Sequence, residues 1–143
     1  LKTATDGPST IVGEAAFVID IRHPDAGTLA GLTAKCTAIC ETLADQSGCT
    51  ATVAQRISVS PTQFDARCIR ALEAGAERRG YAYRKIASGA LHDAANIAKV
   101  VPTAMVFVPC RDGISHNVNE YASPEDLAAG TNVLLDALLD LAR

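Results

Sequence analysis

The stretch that most constrains this chain is Val106-Phe107-Val108-Pro109-Cys110-Arg111-Asp112-Gly113-Ile114-Ser115-His116-Asn117-Val118-Asn119-Glu120. An apolar block from Thr103 to Pro109 suits a buried strand. It then breaks into a polar, glycine-containing loop that delivers one histidine beside Ser, Asn and Glu. In open α/β sheets, ligands bind in the crevice beyond the carboxyl ends of the strands. This loop is therefore where chemistry is expected.

The surrounding pattern alternates strand and helix signals. Residues 1 to 10 are small and polar and read as a loop. From Ala15, Phe17, Ile19 and Ile21 share one face of a strand and Val18, Asp20 and Arg22 the other, until Pro24 ends the ladder. Asp25 to Gln46 reads as a helix, with Leu29, Leu32, Cys36, Ile39 and Leu43 at steps of three and four. Gly48 stands at its C-terminal glycine position. Residues 50 to 60 (Val53, Gln55, Ile57 and Val59 on one face) read as a second strand, making residues 1–60 a β-α-β layer. Two strands are marginal alone, so this half requires more strands from elsewhere.

Ser60-Pro61 reads as the cap and first position of a helix carrying Phe64, Cys68, Leu72 and Ala76 on one face, closed by Gly80. A strand from Tyr81 to Ile86 and a Ser88-Gly89-Ala90 turn lead into a helix from Leu91 to Lys99. That order aims backbone N–H groups at an anion. After the His116 loop, Ser123 as N-cap, Pro124 at N1 and Glu125 and Asp126 in the positive first turn open a final helix. Its Leu127, Leu134, Leu138 and Leu141 side is expected to cover a sheet. Residues 61–143 thus read α-β-α-β-α, half of an open α/β sheet, and the fold class is α/β.

Composition narrows the function. The chain has 143 residues, 13 basic against 16 acidic, and no Trp. That balance argues against nucleic acid, which needs a basic footprint and stacking aromatics. No long apolar span points to a membrane, and no charged-then-apolar leader is seen. The five cysteines contain no C-x-x-C pair. Cys36 and Cys40 lie four apart on an apolar helix face, where free Cys commonly serves as a small hydrophobe. A reducing cytoplasm is the expected compartment.

Each of the three histidines can be weighed. His116 can coordinate zinc or shuttle protons, or it is an ordinary loop histidine; Glu120, four residues on, can share a face with it. His92 and Asp93 open a helix after Ser88-Gly89-Ala90. They either lie beside a carboxylate-binding turn or are solvated first-turn residues. Arg22 is either a bidentate fork for a carboxylate or half of an Asp20–Arg22 surface pair. A hydrolytic zinc site needs about three protein ligands and a general base, and this loop supplies one His. There is also no Gly-x-Ser-x-Gly, Walker loop, Gly-x-Gly-x-x-Gly or His-Glu-x-x-His motif.

At these residues the chain resembles the M20-type zinc amidohydrolases of the hydantoinase/carbamoylase branch, in their C-terminal part. These are N-carbamoyl-L-amino-acid hydrolases, allantoate amidohydrolases and β-ureidopropionases. Gly13-Glu14-Ala15 with Phe17-Val18-Ile19-Asp20-Ile21-Arg22-His23-Pro24 resembles the lid strand ending in Asp-Ile-Arg. Ser88-Gly89-Ala90-Leu91-His92-Asp93-Ala94 is similar to a Ser-Gly-Ala-Gly-His-Asp-Ala turn. Pro102 through Pro109, Gly113-Ile114-Ser115-His116 and Glu120 resemble the last core strand and its metal loop, and Ser123-Pro124-Glu125-Asp126 resembles the start of the final helix. Two positions depart: Ser9-Thr10-Ile11-Val12-Gly13 replaces an Asn-x-x-Pro-Gly run, and Leu91 replaces the turn's second glycine, where a Cβ can obstruct a ligand.

The resemblance implies residues 1–60 as a partial lid and dimerisation domain and residues 61–143 as the C-terminal part of a zinc-hydrolase catalytic domain. It implies His116 as the last ligand of a two-metal zinc centre, with manganese or cobalt as alternatives. Arg22 would reach a substrate carboxylate, and Gly89, Ala90, Leu91 and His92 would hold the substrate's other polar end. It further implies that no catalytic residue lies in this chain and that the water-activating Glu and the other ligands would lie upstream of Leu1. The implied substrate is a small carbamoyl or ureido molecule and the implied assembly a homodimer or higher oligomer. The alternative is a non-catalytic α/β module that associates through strand edges.

Overall fold

The computed structural model describes residues 2–3, 9 and 11–143. Most of the loop expected over residues 1 to 10 lies outside the described residues. The chain divides into two compact units, Leu1–Pro61 and Thr62–Arg143.

In the first unit β1 (Lys2–Thr3) pairs antiparallel with β2 (Ala15–Ala16), Lys2 opposite Ala16 and Thr3 opposite Ala15. A long helix, α1 (Ala26–Gln46), follows. Asp25 caps it, Oδ1 accepting the Thr28 N–H at 2.7 Å. This satisfies one orphan donor of the first turn. Gly48, at φ 66°, turns the chain out of the helix, and Cys49 N–H donates back to the Ala44 carbonyl at 2.8 Å. That reversal needs a left-handed residue, which glycine adopts without steric cost.

The expected strands of this unit are corrected. Among the described residues only Ala15–Ala16 of the stretch from Ala15 to Pro24 is paired, and residues 50–60 form no ladder. Phe17 and Ile57 are 62% and 81% exposed. Alternation marks a segment able to be a strand, but a strand exists only where a neighbour supplies the other half of its hydrogen bonds. The described residues of the unit supply that neighbour for two residues.

The second unit is built on α2 (Ala66–Arg78) crossing α4 (Pro124–Leu141), with a short α3 (Asp93–Ile97) and a 3-10 turn at Arg111–Gly113 between them. The start of α2 is corrected from Ser60-Pro61 to Asp65. Asp65 Oδ1 accepts N–H groups from Arg67 at 2.8 Å and Cys68 at 3.0 Å. Two backbone donors on one carboxylate outweigh a proline that only presets φ. Gly80, at φ 68°, ends this helix, with Tyr81 N–H returning to the Ala76 carbonyl.

Small residues form the α2–α4 seam. Ala71, Gly75 and Ala76 of α2 and Val133 and Ala137 of α4 are its buried residues. A Cβ on Gly75 would stand 3.1 Å from the Val133 carbonyl oxygen and 3.3 Å from Asp136 Cβ, so the backbones touch there. Charged pairs flank the seam. Arg79 donates through Nε and Nη2 to the two Asp136 oxygens at 2.7 and 2.8 Å, and Arg78 pairs with Asp140 at 2.7 Å. The expected α4 orientation is corrected too: Leu127, Leu134, Leu138 and Leu141 are exposed, and the Val133–Ala137 stripe packs instead.

Residues 81–86 and 103–109 are likewise unpaired segments, not strands, and α3 is shorter than the expected 91–99. Both segments are nevertheless fixed. Lys85 pairs with Glu73 at 2.7 Å and Tyr83 OH donates to Glu77 Oε1 at 2.7 Å, holding 81–85 along α2. Asp65 N–H donates to the Thr103 carbonyl at 2.9 Å, and Val108 lies against Gly130 of α4 so closely that a Cβ there would collide with Cγ1. The stem of the His116 loop is positioned by these contacts. No helix of the described residues is long and apolar enough to cross a membrane.

The chain exposes 11262 Å². Two independently folded units of these lengths would expose about 8,400 Å². The excess carries many large apolar side chains, so both units present surface suited to further packing.

Gly130→Ala is expected to destabilise the second unit by about 1–2 kcal/mol in urea unfolding, overpacking outweighing the gain in helix propensity. Gly31→Ala in α1, where a Cβ meets nothing within 4 Å, is expected to stabilise by up to about 1 kcal/mol. A second expectation concerns acid. The Arg79 fork lowers the Asp136 pKa, and the Cys68 and Arg67 N–H groups lower that of Asp65. A depressed folded pKa gives stability that is complete above the ordinary carboxylate range, about 4, and is lost as pH falls through the lower folded value. Helicity by far-ultraviolet circular dichroism should fall there, and Asp136→Asn should flatten the slope.

Candidate metal and substrate site

The His116 loop is closed at its stem and tied across its middle. Arg111 N–H donates to the Tyr121 carbonyl at 2.8 Å, and the Arg111 guanidinium sits 4.9 Å from the Tyr121 ring centroid, a cation–π distance. The 3-10 turn reverses the chain with Asp112 at φ 59° and Gly113 at φ 68°. Glu120 N–H donates to the Asn117 carbonyl and Asn119 N–H to Asn117 Oδ1, each at 3.0 Å. This makes Asn117 the corner of a second turn, a role its short polar side chain suits.

His116 sits between these turns in the left-handed region, at φ 54°. Its N–H donates to Glu120 Oε2 at 3.0 Å, while the Cys110 thiol reaches Glu120 Oε1 at 3.7 Å. Burial, reinforced by the Glu120 charge, pushes the Cys110 thiol pKa up, so the sulfur stays protonated and donates. The His116 residue is exposed, and its imidazole makes no hydrogen bond among the described residues. Glu120, read in the sequence as a neighbour on the same face and as part of the loop motif, is the acceptor that organises the loop.

A metal ion needs several donors within bonding reach. The described residues contain no group of three His, Cys, Asp or Glu side chains that could hold one. Both Glu120 oxygens face donors within the loop. Among the described residues the loop thus offers one exposed imidazole.

The second candidate segment is organised by Ser88, which the sequence placed in the turn without a site role of its own. Its Oγ lies 2.7 Å from His92 Nε2 and accepts the Ala90 N–H at 3.1 Å. The His92 ring lies 5.5 Å from that of Phe107, tilted by 60°. His92 is the N-cap residue of α3 but makes no side-chain capping bond, because its ring is engaged with Ser88. The Ala90 N–H is already taken, Gly89 is exposed, and Leu91 projects 73% exposed.

Arg22 belongs to the first unit. Its Nε lies 3.0 and 3.2 Å from the Asp20 oxygens, and Nη2 lies 2.6 Å from Oδ2, all exposed. The Arg22 hydrogen bond lowers the Asp20 pKa. The surface pair weighed from the sequence is thus formed.

Residues 5–140 match the family described as Peptidase family M20/M25/M40. The chain belongs to this family. Within it, the chain is 36% identical over 134 residues to an N-carbamoyl-L-amino-acid amidohydrolase of Rhizobium meliloti, covering 94% of the chain and 32% of that protein. It is 34% identical over 134 residues to an allantoate amidohydrolase of Bacillus subtilis, with the same two coverages. A crystal structure of a hydantoinase/carbamoylase family amidase from Burkholderia multivorans superimposes with TM-score 0.80 at 47% identity, over 82% of the chain and 29% of the other. The chain spans about a third of the length of the curated relatives it matches.

Ser88→Ala should remove two contacts at once. The loss of a hydrogen bond worth about 1 kcal/mol predicts several-fold faster amide exchange at Ala90, with displaced His92 ring resonances in the NMR spectrum and unchanged α2 and α4 amides.

Proposed function

We propose that this chain is the C-terminal portion of a metal-dependent amidohydrolase that hydrolyses the carbamoyl or ureido C–N bond of N-carbamoyl amino acids or allantoate. The observation that carries the reading is the exposed, hydrogen-bond-free imidazole of His116 at the tip of a tied loop, in a chain of this family. A neutral imidazole whose ring nitrogens are not engaged within the loop has a lone pair available for a metal ion. Zinc, or manganese or cobalt in its place, lowers the pKa of a bound water and polarises the scissile carbonyl. The described residues bring no further ligand set together with His116, and the remaining ligands and the general base of such an enzyme would be supplied by other parts of it.

The other proposed roles concern binding. Residues 1–60 act as part of a lid and dimerisation domain and residues 61–143 as part of the catalytic domain. Arg22 takes a substrate carboxylate in place of Asp20; that pair is fully exposed and so only weakly held against exchange. The Gly89-Ala90-Leu91-His92 turn meets the substrate's other polar end, with Ser88 fixing the His92 ring. Leu91 narrows access to the turn. The intact protein is read as an oligomer of a reducing cytoplasm, where its five cysteines stay as thiols.

A second reading is favoured by the exposed apolar faces of α1 and α4: association with another chain without catalysis. It predicts metal-independent assembly, so sedimentation with and without a chelator separates it from the first, and a clean monomer counts against it.

The purified chain with added zinc should turn over neither N-carbamoyl amino acids nor allantoate. Supplying the upstream two-thirds of the Rhizobium meliloti relative in trans should give zinc-dependent hydrolysis, and His116→Ala should remove it. Turnover by the chain alone, or complementation indifferent to His116→Ala, overturns the proposal.

A further inference from the structure

The deepest constraint on His116 is in its backbone. A non-glycine residue at φ 54° needs something to hold it in the left-handed region. Its N–H→Glu120 Oε2 bond at 3.0 Å is its one hydrogen bond among the described residues. The same carboxylate meets the Cys110 thiol at 3.7 Å. Cys110 precedes the 3-10 turn at the stem, whose Arg111 N–H is fixed to Tyr121 at 2.8 Å. One side chain therefore connects the anchored stem to the histidine.

We propose that Glu120 is the positioning residue of this loop, its carboxylate bridging the Cys110 thiol and the His116 N–H so that the imidazole is presented outward from a left-handed backbone. The assignment rests on reading His116 as the metal-site residue, although the bridge itself requires no metal. A charge-assisted bond to a carboxylate is a strong member of its class, and the weaker thiol donor at 3.7 Å on the other oxygen adds a direction to that distance. The carboxylate serves as an acceptor within the loop and touches no reacting atom.

NMR on the full 143-residue chain tests this. In Glu120→Ala the His116 amide should exchange at least about tenfold faster, a loss on the scale of one hydrogen bond, and the left-handed signature in its backbone shifts should vanish. The Arg111 amide and the α2–α4 seam should keep their protection. Glu120→Gln retains an acceptor oxygen and should restore most of the His116 protection. Unchanged exchange and shifts in Glu120→Ala overturn the proposal, as does Glu120→Gln behaving like Glu120→Ala. Should Glu120→Ala unfold the second unit, Glu120→Gln and Cys110→Ala decide, Cys110→Ala being expected to loosen the tip and leave the stem. The metal reading is tested separately, in the chain complemented by the upstream two-thirds of the Rhizobium meliloti relative. Zinc-dependent hydrolysis that survives His116→Ala there, together with an unlocked Glu120→Ala loop, removes the metal reading and leaves the bridge standing.

Discussion

The second unit depends on the close approach of α2 and α4 at Gly75. Without a side chain at that position the Val133 carbonyl and Asp136 Cβ come within ordinary contact of the opposing helix. The Arg79–Asp136 fork can then close beside it at 2.7 and 2.8 Å. Small-residue seams bury little apolar area, so geometry rather than hydrophobic mass holds these helices. The consequence reaches the site. Gly130, further along α4, receives Val108, and Asp65 at the start of α2 holds Thr103. The segment that leads into the His116 loop is thus aligned by two helices and not by a sheet.

On that stem the loop is a local construction. Two turns and one carboxylate place His116, and each uses a residue suited to its conformation: Gly113 and Asp112 at positive φ, Asn117 at a corner, Glu120 as a double acceptor. Such a loop can keep its shape when larger surroundings are absent, because its bonds lie within Cys110–Tyr121. The metal chemistry that the family supplies cannot be local in this sense. It needs donors converging from separate elements, and the described residues bring no such group together.

The exposed apolar side chains connect the fold to the family. The segments expected as strands (residues 15–24, 50–60, 81–86 and 103–109) are largely unladdered, and large apolar side chains stand exposed along them and along the leucine side of α4. The chain spans about a third of the length of its M20 relatives. Apolar faces of this extent fit surfaces that pack against further protein, whether the rest of a longer hydrolase or another chain.

The sequence by itself determined the features written within a few residues. The capping of α4 by Ser123, the glycine reversals at Gly48 and Gly80, the loop around His116 and the family motifs were all legible, because caps and turns close through bonds between near neighbours. Tertiary structure decided whatever needs a distant partner. It withheld the ladders, since a strand requires another strand's backbone. It moved the start of α2 to Asp65, where two N–H groups meet one carboxylate and the Thr103 carbonyl fixes the chain. It turned the Val133–Ala137 stripe of α4 inward because Gly75 offers a place to pack. It also engaged His92 with Ser88 and Phe107, and made Glu120 the bridge between Cys110 and His116, contacts that spacing hints at but only a folded backbone completes.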